Sequence, residues 1–168
     1  MEGKTREQEM EERYFLFGLL HALTNRLQTV GDTFFEEISW KQWFVLAGTS
    51  LFRDPPTINE LAEVIGSSRQ NVKQLLLKLE QAGFVKIEPD PSDRRKQRVY
   101  MTENMQRLDD KYKGESQKFI DRFYHGIEKK EIETTMQTLM KMEQNLMSIG
   151  TQKSENVIRE SENNRNGK

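Results

Sequence analysis

Leu16, Leu20, Leu23, Leu27, Val30 and Phe34 recur every three or four residues. That period draws one apolar seam along a long helix, and Phe15 and Leu19 widen it. Such a seam faces either the chain's own core or a second copy. Ser39-Trp40-Lys41-Gln42 then has the form of a capping box, in which serine accepts from a first-turn N–H and glutamine reaches back. The helix it opens carries Trp40, Phe44, Ala47 and Leu51, and is expected to stop near Asp54-Pro55-Pro56.

Thr57-Ile58-Asn59-Glu60 is a second box, opening a short helix with Ile58, Leu61, Ala62 and Ile65 inward. Gly66 ends it, because glycine tolerates the left-handed cap. Ser67-Ser68-Arg69-Gln70 reads as a third box. The helix after it sets Val72, Leu75, Leu76 and Leu79 on one face, and Gly83 closes it. Two alternating runs follow, 84–88 with Val85 and Ile87, and 98–101 with Val99 and Met101. Prolines, Asp90, Ser92 and a basic cluster separate them, which predicts a hairpin with a long loop.

The last third is helical by period. Met105, Leu108, Tyr112, Phe119 and Phe123 form one seam, His125-Gly126 breaks it, and Ile132, Met136, Leu139, Leu146 and Met147 form another. From Thr151 onward the apolar period vanishes, and 154–168 is expected to be a disordered tail. The organisation expected is an N-terminal helix over 1–36, a winged region over 37–103, C-terminal helices over 104–150 and a tail over 151–168. The fold class is mainly α.

Composition narrows the chemistry. The chain has 26 basic and 27 acidic side chains, a net charge of −1, so only local clustering can point to nucleic acid. With 35% hydrophobic residues the core is lean, which suits helices that pair with a second copy. The absence of cysteine excludes disulfides and thiolate chemistry. No run approaches the roughly 20 apolar residues of a membrane span, and the charged start has no signal-peptide core, so a cytoplasmic location without membrane partners is expected.

Two short helices joined at a glycine and followed by a hairpin predict a winged helix-turn-helix. On the second helix the apolar face centres near Val72 and Leu79. Gln70, Gln74, Leu77 and Gln81 point the other way, with Arg69, Lys73 and Lys78 on the flanks. Glutamine pairs with adenine, arginine with guanine, and lysine suits phosphate. The amino-terminal part of such a helix reaches base edges, so Ser68, Arg69, Gln70, Asn71, Lys73, Gln74 and Lys78 are the candidate DNA-binding residues, while Gln81 lies too far along.

Between Ser67 and Met101, eight basic side chains face four acidic ones, a local excess of +4. Arg94, Arg95, Lys96 and Arg98 concentrate on the hairpin, where they could enter a minor groove. Asp93 is expected to brace Arg95 and fix its direction. An incidental surface ion pair is the plainer alternative.

These residues resemble the multiple antibiotic resistance regulator (MarR) family. Its wing often reads D-x-R-x-x-x-V-x-L-T, matched here by Asp93, Arg95, Val99, Met101 and Thr102, with methionine in place of leucine. "INELAEVIGSSRQNVKQLLLKLEQAGFV" is similar to the family's helix-turn-helix, and "IEKKEIETTMQTLMKME" to its final helix. In "MTENMQRLDD" the glycine that family members commonly carry after the threonine is missing. The resemblance implies long N- and C-terminal dimerisation helices, a homodimer, a pseudo-palindromic operator and repression of nearby genes. It also implies a small aromatic or anionic effector. Phe15, Leu19, His21, Arg26, Trp40, Trp43 and Phe44 are the candidate pocket residues, with Arg26 as carboxylate partner and a plain core role as the alternative.

Other chemistries find little support. His21 and His125 stand far apart and there is no cysteine, so no metal site or cofactor is expected. No phosphate loop, G-x-S-x-G or histidine–nucleophile pair occurs, so no enzyme is expected. A winged-helix module gripping an acidic protein is the competing reading.

Overall fold

In the computed structural model the structure describes residues 6–166, the side chains of 151–166 excepted. The described residues up to Gly114 form one compact unit and those from Glu115 a second.

The first unit opens with α1 (Arg6–Gly31) and continues with α2 (Trp40–Thr49), α3 (Ile58–Ile65) and α4 (Arg69–Gln81). An antiparallel hairpin follows, β1 (Val85–Pro89) and β2 (Gln97–Met101). Its register runs from Val85 opposite Met101 to Pro89 opposite Gln97. Then α5 (Glu103–Phe123) begins. Val45, Leu46, Leu61, Val72, Leu76, Leu79, Val85 and Val99 are fully enclosed, so α2, α3, α4 and the hairpin share one core. Leu108 and Tyr112 of α5 complete it.

α1 stops at Gly31, three residues short of Phe34. The reason is a contact with α2. A Cβ on Gly31 would lie 2.1 Å from Cδ2 of Trp40, so only glycine lets the indole lie against this helix end. Oδ1 of Asp32 then accepts the Trp40 N–H at 2.9 Å. Phe34 leaves the helix to join Phe35 and Tyr112 in an aromatic cluster. Along α1, Tyr14, Phe15, Phe17, Leu19 and Leu23 are exposed.

The capping boxes at Ser39 and Thr57 form as expected, each with both reciprocal bonds. α2, however, ends at Thr49 rather than near the prolines, and Leu51 stands exposed beyond it. The N–H groups of Ser50, Leu51 and Phe52 each donate three residues back, tightening the chain out of α-geometry. The hydroxyls of Thr49 and Ser50 bond to the carbonyls of Leu46 and Ala47. The third box is also corrected. Ser67 still belongs to the end of α3, donating its N–H to Ala62, so the cap moves to Ser68. Ser68 Oγ accepts from the Asn71 N–H, and the Asn71 side chain donates to Ser67 Oγ, so no glutamine closes a box.

In the second unit, Gly126 takes φ +76° and the chain turns before α6 (Lys129–Asn166). Ile132, Met136, Leu139, Met140, Leu146, Met147 and Ile149 are exposed along α6. The backbone is helical through Asn166, where the sequence suggested disorder. No proline follows Thr151 to interrupt the backbone, although the apolar period has ended there. Among the described residues no helix is long and apolar enough to cross a membrane.

Candidate nucleic-acid interface

The turn between α3 and α4 is set by Gly66, which takes φ +68° in the left-handed region. Nothing lies within 4 Å of a Cβ placed there, so glycine is needed for backbone conformation and not for space. Ala62 is buried at the crossing. Val72, Leu76 and Leu79 turn inward from α4, which leaves its opposite side in solvent. Ser68, Arg69, Gln70, Asn71, Gln74 and Lys78 are exposed, and Lys73 is half-buried. Asn71 is partly committed through its bond to Ser67.

The loop joining the strands is ordered by one carboxylate. Asp90, 2% exposed, accepts at Oδ1 from the Ser92 N–H at 2.7 Å, the Ser92 hydroxyl at 2.5 Å and the Asp93 N–H at 3.0 Å. Its own N–H donates to the Lys96 carbonyl, and the Lys96 N–H donates to that of Asp93. The Ser92 bonds, then the Asp93 amide and Arg98, hold the Asp90 carboxyl well below the usual carboxylate range.

At the tip Asp93 accepts from Arg95 Nε at 3.0 Å and from Nη2 at 3.3 Å. The expected brace is present, and it holds Asp93 below its ordinary pKa. The Arg95 side chain is 91% exposed, with Arg94 and Lys96 exposed beside it. Arg98 differs from its three basic neighbours. Its Nε donates to Asp90 Oδ2 and its Nη1 to the Pro55 carbonyl, both at 2.5 Å, so the guanidinium is committed inward and is no tip residue. In the ladder Arg98 lies opposite Glu88 and bridges to Thr57 on its other side, which brings its guanidinium within reach of the Pro55 carbonyl. Asp90 is the residue that sequence reasoning passed over. The Asp-Pro-Ser-Asp spacing, in which an Asp carboxylate can reach N–H groups two and three residues on, was the available signal.

The effector candidates occupy different settings among the described residues. Trp40 and Trp43 stack on each other with centroids 4.7 Å apart and on Phe35, partly buried against the core. Phe15 is 73% and Phe44 49% exposed, and Leu19, His21 and Arg26 are exposed on α1. Phe15 lines an open groove with Gln8, Glu11 and Glu12, a setting that repels an anion. The physical reason is helix length, since Phe15 and Arg26 are about 16 Å apart along α1. Among the described residues no three His, Asp or Glu stand together to hold a metal ion.

A tight αL turn between two short helices, a solvent-facing second helix and a basic hairpin beside it define a winged helix-turn-helix protein. The MarR family matches residues 37–96. The chain is 32% identical over 100 residues to the transcriptional activatory protein BadR of Rhodopseudomonas palustris, covering 57% of each chain. It therefore spans little more than half the length of that curated relative. In structure it is similar to a MarR/EmrR family transcriptional regulator from Acinetobacter sp. ADP1, at 16% identity over 80% of this chain and 96% of that one, TM-score 0.71. It is also similar to S. aureus MepR, solved as a DNA complex, at 20% identity over 76% and 95%, TM-score 0.68. The family match is confined to residues 37–96, and the fold is similar to that of MarR-family regulators.

Proposed function

We propose that this protein regulates transcription by binding duplex DNA as a homodimer, with α4 in the major groove and the 90–96 loop in the adjacent minor groove. One observation carries the reading: a solvent-facing helix bearing Arg69, Gln70 and Gln74 stands in the same compact unit as a hairpin whose Arg95 is aimed by Asp93. The fold likeness to MepR, a protein solved on DNA, adds weight.

Dimerisation is supported by exposed apolar side chains on α1, and separately by those on α6. A chain alone in water gains about 25 cal/mol for each Å² of such surface it covers. Two-fold symmetry then asks for half-sites about one helical turn apart, roughly 10 bp. Repression by occupancy is the proposed mode, since it asks only binding of the protein. Any small aromatic effector would sit where a second copy closes over α1, because the single chain leaves Phe15, Leu19, His21 and Arg26 in solvent. A soluble cytoplasmic regulator without cofactor or enzymatic activity is the corresponding cellular reading.

Footprinting on DNA upstream of the protein's own coding region tests the reading. Protection of a two-fold-related sequence is the expected result. Tight binding to an acidic protein with no protection of any duplex would replace it with the protein-module reading. A reporter that falls on deletion of the regulator would turn repression into activation, the activity named for BadR.

A further inference from the structure

We propose that Arg98 and Asp90 set the direction in which the wing meets DNA, and that Arg98 does so without touching the nucleic acid. The inference rests on the DNA-binding reading and deepens it.

Three connections meet at this pair. Asp90 Oδ1 closes the first turn of the tip through Ser92 and Asp93, while Oδ2 takes the Arg98 Nε–H. The same guanidinium donates through Nη1 to the Pro55 carbonyl, across 43 residues of sequence. Beside it the Val99 N–H donates to the Pro56 carbonyl at 2.9 Å, and Thr57 bridges to Arg98 in antiparallel sense. Thr57 is also the N-cap of α3, held by Glu60. The wing is thus tied at its root to the start of the helix that packs against α4. Only a planar fork of donors spans a carboxylate and a carbonyl at once in this way; an ammonium is a point donor on a flexible stem.

Burial separates positioning from contact. The Arg98 side chain is 30% exposed and Asp90 is 3% exposed, whereas Arg95 at the tip is 91% exposed. The tip meets DNA, and the root aims it.

Charge gives the inference a sign that simple electrostatics does not. Asp90→Asn removes a negative charge from a basic surface. Phosphate attraction alone then predicts tighter binding to every duplex. A broken strut predicts weaker binding, and only where the wing contributes. The test uses the full chain and duplexes cut from its footprinted upstream region, with identical half-sites and flanks of either A·T tracts or G·C pairs. Narrow A·T flanks favour inserted arginine.

Asp90→Asn is expected to lose about tenfold in affinity for the A·T-flanked duplex, the size of one good directional contact, and nothing for the G·C-flanked one. Arg98→Lys, which keeps the charge, should lose as much. Tighter binding of Asp90→Asn to both duplexes, or wild-type discrimination retained by Arg98→Lys, overturns the proposal. Should Asp90→Asn fail to fold by circular dichroism, Arg98→Lys decides. A wild-type protein that binds DNA without distinguishing the flanks overturns this inference alone. One that binds no duplex removes the DNA reading beneath it.

Discussion

Asp93 holds Arg95 by three bonds: both carboxylate oxygens accept from the guanidinium, and Oδ1 also accepts the Arg95 backbone N–H at 3.1 Å. An exposed ion pair contributes about 0–1 kcal/mol to stability, so its consequence lies in direction. Arg95→Ala should shallow the log–log salt dependence of DNA binding by about 0.9 for each phosphate the wing no longer neutralises. Asp93→Ala should leave the melting temperature almost unchanged while weakening preference for A·T flanks. Equal binding by wild type and Arg95→Ala across a salt titration would remove the wing from the interface.

On α4 the polar positions divide by role. Gln70→Ala or Arg69→Ala should relax preference at particular base pairs by about 1–3 kcal/mol. Lys73→Ala should weaken all duplexes alike. Competition against single-base operator variants separates the two patterns. Uniform loss from Gln70→Ala would reassign that residue to the backbone.

Helical glycines here should respond with opposite signs. Gly31→Ala collides with the Trp40 ring, which stacks on Trp43 and Phe35. Overpacking of this kind costs about 1–3 kcal/mol. Gly18 and Gly114 have nothing within 4 Å of an added Cβ, so Gly18→Ala and Gly114→Ala should stabilise by up to about 1 kcal/mol through helix propensity. Urea melts of the three variants check the order.

The core makes a simpler demand. Leu76 is 0% exposed between α4 and the rest of the winged core. Leu76→Ala should cost about 2–5 kcal/mol in urea unfolding, with the operator sequence preferred by the remaining folded protein unchanged.

Acid titration follows from the carboxylates. Glu37 is held below its ordinary range first by Lys111, then by the Tyr112 hydroxyl, which donates to it at 2.6 Å. Asp90 is lowered by Ser92, Asp93 and Arg98. A carboxyl whose folded pKa lies below its unfolded value stabilises fully above the unfolded value, about 3.9 for Asp and 4.3 for Glu. That contribution fades as pH falls through the folded value. The Ser92 amide resonance, whose N–H is bonded to Asp90, should therefore keep its position through the ordinary carboxylate range and shift only well below it, and Asp90→Asn should remove that late shift. A Ser92 shift centred at or above the ordinary Asp value would contradict the Asp90 geometry.

The order of elements, two of the three capping boxes, the inward face of α4 and the Asp93–Arg95 pair were all readable from the chain. Each depends on residues within a few positions of one another, where helical or strand period and side-chain reach decide the outcome. Tertiary structure decided the rest. Gly31 ends α1 because an indole nine residues later needs its space. Arg98 turns inward because Pro55, 43 residues earlier, offers a carbonyl and Asp90 a carboxylate at the same spot. Trp40 and Trp43 lie against the core because Phe35 packs on both. A side chain of either kind is equally at home in solvent or inside by local rules, and only the surfaces that folding brings against it choose between them.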